Sequence, residues 1–427
     1  MQPDPQIPPS TTHSQAGGGA PPALAAVPPP ILPPGSDAES SAARSWLALL
    51  LSACLGLFLA DAIVSLADDS LGLFFGFHGL AGVRMLVGLL AGAVALLVYV
   101  MMAFTPKIPR RLFVPLCLFN LLTLLVALPF AIFFYERSQL IEWIISVAQV
   151  VFGVWVLYRL GNGFKFRWPL VPPALLNHGR FSWWNFCMFV LVNFCGLLPA
   201  VVIYLFFCAA LAVDHFTSGF MALHPGGFTV QVRTYARNDG KTIQLYPMAH
   251  VAEADFYRQI SQSFPTNSII LMEGVTDSQN LLTNKISYER MAKSLGLAEQ
   301  HAGFAPTRGT VVPADVDVDQ FSKGTLNLLN LVMLIHSQGV NPKNIQALLQ
   351  YQPSPQMEEE LMDDLLRNRN QHLLGEIKVH LPLSDTIIVP WGVAHMPGIS
   401  TEIQKSGFLL TQSRNYEVIR FHFFGVK

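Results

Sequence analysis

Five apolar runs of about 20 residues dominate the first half of the sequence and limit what the chain can fold into. A helix needs about 20 predominantly apolar residues to cross about 30 Å of hydrocarbon. Buried helices of a soluble domain would require five nearly uncharged stretches in series. The sequence therefore predicts five transmembrane helices, at residues 46–66, 85–104, 112–135, 140–158 and 186–213. The glycine-rich stretch 71–82 either lengthens the second helix or lies at the membrane interface.

Charged residues are unevenly distributed along the chain. Only 13% of the residues are charged, whereas about 25% is typical of soluble domains. The first 215 residues hold 10 of the 27 Lys and Arg residues and 9 of the 28 Asp and Glu residues, so the apolar excess belongs to this half. Neither half has a basic excess, which argues against a nucleic-acid partner.

These patterns divide the chain into three segments. Residues 1–43 hold 11 of the 30 prolines and are predicted to form a disordered tail, because they cannot bury enough apolar surface to offset the entropy cost of ordering. Residues 44–215 are predicted to form the membrane domain, and residues 216–427 an extramembrane domain. All five cysteines precede residue 215, so a thiolate metal site or a cysteine nucleophile is excluded from the third segment.

Basic residues in the short loops predict the orientation in the membrane. Two alternate loops carry only Arg84 and Arg137. The other loops and the segment before the first helix carry eight basic residues, namely Arg44, Lys107, Arg110, Arg111, Arg159, Lys165, Arg167 and Arg180. The chain is thus predicted to be a multi-pass protein of the cytoplasmic membrane with a cytoplasmic N-terminus. Its C-terminal domain is then periplasmic or extracellular.

Asp61 is the charged residue that lies well inside a predicted transmembrane helix. Carboxylates within the membrane often mark ion or proton paths. Because Asp61 lies about five residues from the predicted end of its helix, we expect it to reach the water interface. A transporter is therefore the weakest of the functional hypotheses, and the membrane domain is expected to act as an anchor.

The extramembrane segment alternates short β-like runs with amphipathic helical runs. It predicts a mixed α/β (α+β) layered domain. Strands are predicted at residues 227–236, 242–248, 268–272, 386–389 and 416–424, and helices at 253–264, 280–295, 321–336, 357–378 and 399–405.

Three polar residues lie in loops that leave the carboxyl ends of predicted strands, namely His250, Glu273 and His395. If the strands are parallel neighbours, their carboxyl ends meet at one edge of the sheet, where open α/β sheets place ligands. Two imidazoles and a carboxylate suit a divalent metal such as Zn, Mn or Co. The same set suits metal-free acid–base catalysis, and the spacing does not separate the two.

Each of these residues also has an ordinary structural interpretation, as a hydrogen-bonded residue of a loop. The alternating residues Asp315, Asp317 and Asp319 lack the downstream Gly and Glu of an EF-hand. We therefore predict them to be a solvated start of a strand or helix.

Five segments, in this order over residues 245–408, resemble the TraB and TIKI family, which is distantly related to erythromycin esterase and to the haem-binding ChaN proteins. They are LYPMAHVAEADFYRQI, LMEGVTD, YERMAKSLGLAEQ, RNRNQHLLGEI and VPWGVAHMPGISTEIQKSGF. The resemblance covers 164 of the 427 residues. It implies a membrane-tethered extramembrane domain of the TraB/TIKI type.

The resemblance also implies roles for individual residues. The family has two G-x-x-H motifs and an intervening Glu as its active-site elements, which correspond here to His395 after Gly392, to Glu273, and to His250 after Pro247 in place of the first Gly. His250, Glu273 and His395 are thereby implied as catalytic residues and metal ligands. Arg369 and Asn370 resemble the family's helix motif, in which Arg binds a substrate carboxylate or holds Glu273. Surface capping of the helix is the alternative for this pair.

Two functional hypotheses follow for the extramembrane domain. TIKI proteins are described as metal-dependent, membrane-tethered proteases, and TraB proteins as membrane proteins that suppress a peptide pheromone. The resemblance thus implies a metal-dependent hydrolase that acts on an extracytoplasmic peptide or a small amide or ester. The alternative is a non-catalytic module that sequesters a peptide or ligand or signals its presence. The sequence leaves the substrate, the metal and the oligomeric state open.

Overall fold

The computed structural model describes residues 36–77, 79–161, 168–177, 179, 181–283, 288–339, 341–351 and 356–421. Residues 1–35, which make up most of the predicted tail, lie outside the described residues. Lys165, Arg167 and Arg180, which entered the orientation argument, lie outside them too.

The first half folds into five helices that are long and apolar enough to cross a membrane, as predicted. Large apolar side chains such as Leu124, Trp184 and Ile203 point outward from them, which suits contact with lipid. The first four are α1 (Ser36–Phe75), α2 (Ala81–Phe104), α3 (Arg110–Phe133) and α4 (Ser138–Gly161). The fifth consists of α5 (Trp183–Val192), a π-helical turn (Asn193–Leu197) and α6 (Leu198–Phe216).

Helix α1 extends well beyond the predicted range 46–66, and this changes two interpretations. The stretch 71–82 is divided between two helices, since residues 71–75 end α1 and residues 81–82 begin α2, so that only its last two residues lengthen the second helix. Asp61 therefore lies far from the end of its helix. It does not reach water, because it is buried and accepts a hydrogen bond of 2.8 Å from Gln149 Nε2 on α4.

A group of charged and polar residues joins α1, α2 and α4 beyond Asp61. We call it the Arg84 cluster, and it comprises Asp68, Asp69, Arg84, Glu142 and Ser146. Arg84 Nη1 lies 2.5 Å from Asp69 Oδ1, 3.6 Å from Asp68 Oδ2 and 3.4 Å from Glu142 Oε2. Ser146 Oγ donates to the second oxygen of Asp69. These contacts tie the ends of three helices together.

The second half is a mixed α/β domain, as predicted. Its strands are β1 (Met221–His224), β2 (Gly227–Ala236), β3 (Thr242–Met248), β4 (Val251–Ala252), β5 (Ser268–Met272), β6 (Ala298–Glu299), β7 (Thr310–Pro313), β8 (Thr386–Gly392) and β9 (Leu409–Arg420). Its helices are α7 (Ala254–Ser263), α8 (Glu289–Leu295), α9 (Gln300–Gly303), α10 (Lys323–Gln338), α11 (Pro342–Gln350), α12 (Met357–Met362), α13 (Asn368–His380) and α14 (Met396–Lys405). A π-helical turn (Asp363–Arg367) joins α12 to α13.

The main sheet has the order β1-β2-β3-β8-β5-β7, and β9 pairs with β2 as well. Strands β3, β8, β5 and β7 are parallel, whereas β1, β2 and β9 pair antiparallel. The four parallel strands therefore end at the same edge of the sheet.

Alternating side chains of the parallel strands feed two apolar cores. In β8, Ile387, Val389 and Trp391 face the core shared with α13 and α14, whereas Ile388 faces the core shared with α7. This period of two is what a strand buried on both faces requires. The domain thus has helices on both sides of its sheet.

Two predicted elements of this domain differ most from the structure. The helix predicted at 280–295 begins only at Glu289, because the Asp277 carboxylate accepts the backbone N–H groups of Leu281 and Leu282 and holds them in a loop. The closing strand begins at Leu409 rather than at residue 416, and residues 422–424 of that prediction lie outside the described part of the chain. Strands β1, β4, β6 and β7 and helices α9 and α11 were not predicted.

Candidate functional site

The loops that follow the parallel strands meet at one edge of the sheet. His395 follows β8, Glu273 follows β5, and His250 follows β3. Strand β8 lies between β3 and β5, so Glu273 and His395 belong to neighbouring strands. Open α/β sheets place ligands at this edge.

Glu273 is held by two donors from different elements. Its Oε2 accepts the backbone N–H of Gly392 at 2.5 Å, and its Oε1 accepts Arg369 Nη2 at 2.9 Å. About a tenth of the side chain is exposed, since its relative accessibility is 11%. A carboxylate has about four lone-pair positions, so acceptor capacity remains for a further ligand or water.

His395 is nearly buried, and its neighbours define its tautomer. Its Nε2 lies 3.2 Å from Arg369 Nη1, and its Nδ1 lies 2.7 Å from Asn370 Oδ1. A guanidinium can only donate, so Nε2 must accept and Nδ1 must carry the proton. The edge of the ring rests against Trp391, whose own ring is nearly perpendicular to it.

Arg369 lies at the centre of the group, on α13 just after the π-helical turn. All five of its N–H groups have acceptors within the protein. Besides Glu273 Oε1 and His395 Nε2, these are Asp315 Oδ1 at 2.9 Å from Nε, Asp315 Oδ2 at 2.6 Å from Nη2, and Leu365 O at 3.3 Å from Nη1. A guanidinium has five such donors. Binding a substrate carboxylate would therefore require Arg369 to give up a bond that it already makes.

We call this group the Arg369 cluster, and it comprises Glu273, Asp315, Arg369, Asn370 and His395. The structure brings together four of the five residues that the sequence predicted. Asp315 was predicted to be solvated, which is wrong, because its side chain is fully buried against Arg369. The missed signal was its position two residues after β7, similar to that of Glu273 one residue after β5.

Burial and charge set the protonation states within the Arg369 cluster. Burial lowers the pKa of His395 to about 4, Glu273 and Asp315 partly offset this, and Arg369 adds to it, so the imidazole is neutral at pH 7. Burial alone would raise the pKa of Asp315, but the hydrogen bonds and charge of Arg369 outweigh it and hold the pKa below its ordinary value. The guanidinium has a pKa above its ordinary value, since Asp315 and Glu273 outweigh its burial.

His250 does not join the Arg369 cluster. Its exposed side chain stacks on Tyr288, with ring centroids 5.0 Å apart and planes 6° apart. Among the residues that the structure describes, no hydrogen bond or ion pair connects His250 with Glu273 or His395. The end of β3 correctly predicts that His250 lies at this edge of the sheet, but it does not predict the direction of the His250 side chain.

Arg369 already occupies the atoms of the Glu273–His395 pair that would face a divalent metal. The atoms that would face a metal, Glu273 Oε1 and His395 Nε2, are 3.6 Å apart and both accept N–H groups of Arg369. Within the described residues, no group of three or more His, Cys, Asp or Glu side chains is placed to hold a metal ion. These observations do not test the predicted Zn, Mn or Co site at His250, Glu273 and His395, which stays a prediction.

No protein-family model, curated protein or solved structure matches this chain. The resemblance to the TraB and TIKI family stays a prediction from the five sequence segments.

Proposed function

We propose that this chain is a membrane-anchored hydrolase, whose extramembrane domain cleaves an amide or ester bond of a peptide or small molecule on the side opposite the N-terminus. The observation that carries the proposal is the Glu273 carboxylate, which is fixed by Gly392 and Arg369, retains free lone pairs, and lies beside a neutral imidazole at the ligand-binding edge of the sheet. Such a pair suits acid–base chemistry.

Glu273 is the proposed general base. It would take a proton from a water molecule as the water oxygen bonds to the carbonyl carbon of the substrate. It would then return that proton to the departing amine or alcohol as the bond to carbon breaks, which leaves the carboxylate ionised for the next cycle. General acid–base catalysis of this kind contributes about 10²–10⁴-fold in rate.

Arg369 is the proposed source of positive charge for the oxyanion that forms in the transition state. Its contact with His395 Nε2, at 3.2 Å, is longer than its contacts with the two carboxylates and goes to a neutral acceptor. A developing oxyanion would compete well for that N–H, because hydrogen bonds to charged acceptors are stronger than those to neutral ones. His395 would hold the donor in place until then.

The proposal is tested on the full chain in detergent micelles. Chromogenic esters and amides and a mixed peptide pool are incubated with the wild type, with Glu273→Gln and with Glu402→Gln. Glu402 is a matched control because it is a half-exposed glutamate on α14 that pairs with Lys405. We expect Glu273→Gln to lower kcat about a hundredfold or more, and Glu402→Gln to leave it unchanged. Chelation should leave turnover intact.

Other outcomes would contradict the proposal in different ways. Equal turnover by wild type and Glu273→Gln would remove Glu273 as the base. Loss of turnover on chelation, with restoration by Zn or Mn, would favour the metal-dependent hydrolase that the family resemblance implies. Saturable binding of a peptide without product would favour the non-catalytic binding module.

A further inference from the structure

The geometry points to Asp315 as a positioning residue, which orients the guanidinium of Arg369 toward Glu273 and His395. This inference rests on the proposed function, because it assigns a role within the same site. It concerns a residue that would not contact the substrate and would act through Arg369.

Asp315 is held in the site by hydrogen bonds from three residues, namely Arg369, Val316 and Gly274. Its side chain is fully buried. Its Oδ1 accepts Arg369 Nε at 2.9 Å and the N–H of Val316 at 2.9 Å, and its Oδ2 accepts Arg369 Nη2 at 2.6 Å and the N–H of Gly274 at 2.9 Å. The carboxylate is therefore fixed to the backbone at the ends of both β7 and β5, and it has no freedom to follow Arg369 if the latter moves.

Because the guanidinium of Arg369 is planar, its contacts with Asp315 also fix its orientation. Asp315 binds the Nε–Nη2 edge with two N–H groups, and a planar ion held through two bonds on one edge cannot rotate in its plane. The remaining N–H of Nη2 then points at Glu273, and Nη1 points at His395 and at Leu365 O. A single point charge in place of Asp315 would attract Arg369 but would not set these directions.

Asp317 provides a contrast two residues further along the same segment. Its partly exposed carboxylate accepts hydrogen bonds from Thr276 Oγ1 at 2.7 Å and from the N–H of Ser278 at 3.1 Å. It thus organises the loop after β5 without contacting Arg369. Comparing substitutions of the two aspartates therefore distinguishes a changed orientation of Arg369 from a general loosening of this loop.

The test uses the full chain in micelles, labelled with ¹⁵N-histidine, and compares Asp315→Asn with Asp317→Asn. The His395 signal is assigned from its loss in His395→Gln. In Asp315→Asn we expect the Nε2 resonance to shift as the Arg369 hydrogen bond is lost, and kcat on the cleaved ester or amide to fall about 10- to 100-fold with KM within about threefold. Asp317→Asn should retain the wild-type resonance and kcat.

The inference is overturned if Asp315→Asn keeps the wild-type resonance, or if Asp317→Asn changes resonance and kcat as much as Asp315→Asn does. If Asp315→Asn does not fold, Arg369→Lys takes its place, since Lys keeps the charge but lacks the planar fork. Wild-type kcat in Arg369→Lys would overturn the inference, and a fall in kcat with a shifted Nε2 resonance would support it. If the wild type cleaves nothing, the proposed function fails, and the Nε2 resonance alone decides the role of Asp315.

Discussion

In the part of the chain that the structure describes, each half contains an arginine shared by two or more carboxylates, and the two clusters differ in what surrounds the arginine. Arg84 joins the ends of α1, α2 and α4, and its side chain is 31% exposed. Arg369 is 12% exposed and joins the ends of two parallel strands to α13. It also contacts the neutral imidazole of His395.

This difference in surroundings distinguishes the Arg84 cluster, a structural ion-pair network, from the Arg369 cluster, a candidate functional site. The Arg84 cluster contains carboxylates, a cation and a serine, which suffices to connect three helices. The Arg369 cluster adds a histidine held in one tautomer and a carboxylate with unused lone pairs at the edge where α/β sheets bind ligands. The comparison predicts that the Arg369 cluster is the more costly one to break, and that it responds to pH through His395.

The largest effect is expected from Arg369→Met. It leaves the fully buried Asp315 and the nearly buried Glu273 without a cation, and removing one partner of a buried ion pair typically costs about 3–5 kcal/mol. Arg84→Met also leaves two buried carboxylates, Asp68 and Asp69, without their cation, but it should cost less, about 1–2 kcal/mol. The reason is that water reaches the Arg84 side chain, and the Leu80 N–H and the Ser146 hydroxyl still donate to the two carboxylates. Fluorine NMR of 5-fluorotryptophan during thermal unfolding can follow Trp391 beside Arg369 and Trp143 beside the Arg84 cluster. An equal loss of stability in the two variants would contradict the distinction.

A somewhat smaller effect is expected from acid. The pKa of His395 is lowered from 6.5 to about 4, so below pH 6.5 the unfolded chain binds a proton that the folded chain does not. The stability that His395 contributes is therefore complete above pH 6.5 and is lost as the pH falls toward 4, by about 3 kcal/mol in total. Asp315 acts in a separate window, because its lowered pKa removes stability only below its ordinary value of 3.8.

The measurement is the free energy of unfolding of the extramembrane domain between pH 7.5 and 4.5, followed at Trp391. His395→Gln should flatten the curve over this range, since Gln does not titrate. A wild-type curve that is already flat would show that His395 is not buried in its neutral form.

The sequence predicted a large part of the fold for identifiable reasons. Strands β2, β3 and β5 were predicted with the observed bounds, because each is an apolar or alternating run that ends abruptly at polar residues. The rule that parallel strands end at one edge then placed Glu273 and His395 near each other. The helix boundaries were less accurate, and Asp277 explains why residues 280–282 are not helical.

The remainder could not be predicted because it depends on contacts between distant segments. Strand β7 has only four residues, and they lie at the edge of the sheet, so its pattern is weak. Without β7, nothing in the sequence distinguished Asp315 from Asp317 and Asp319, and all three were predicted to be solvated. The direction of the His250 side chain depends on Tyr288, which is 38 positions away in the sequence.

A substitution next to Asn370 tests how closely the Arg369 cluster is packed. A Cβ at Gly398 would lie 2.8 Å from Asn370 Nδ2, so Gly398→Ala should displace the amide that accepts from His395 and cost about 1 kcal/mol. Gly375→Ala on α13 is the control. A Cβ there meets nothing within 4 Å, and alanine should stabilise the helix by about 0.5–1 kcal/mol. Chemical denaturation of both variants gives the comparison, and a neutral Gly398→Ala would indicate that Asn370 has room to move.

The smallest effects are expected from removing one hydroxyl in each half. Tyr99 donates to Asn193 Oδ1 at 2.7 Å within the helix bundle, and Tyr235 is hydrogen-bonded to Ser400 Oγ at 2.7 Å between β2 and α14. Tyr99→Phe should cost about 0.6 kcal/mol, the average for hydrogen bonds between membrane helices. Tyr235→Phe should cost about 1 kcal/mol, limited because Gln404 Nε2 still donates to Ser400 Oγ at 3.0 Å. Unfolding in mixed micelles measures both. A larger cost for Tyr99→Phe than for Tyr235→Phe would mean that single polar contacts stabilise the membrane half more than the extramembrane half. That order would be the reverse of the one expected for the two arginines.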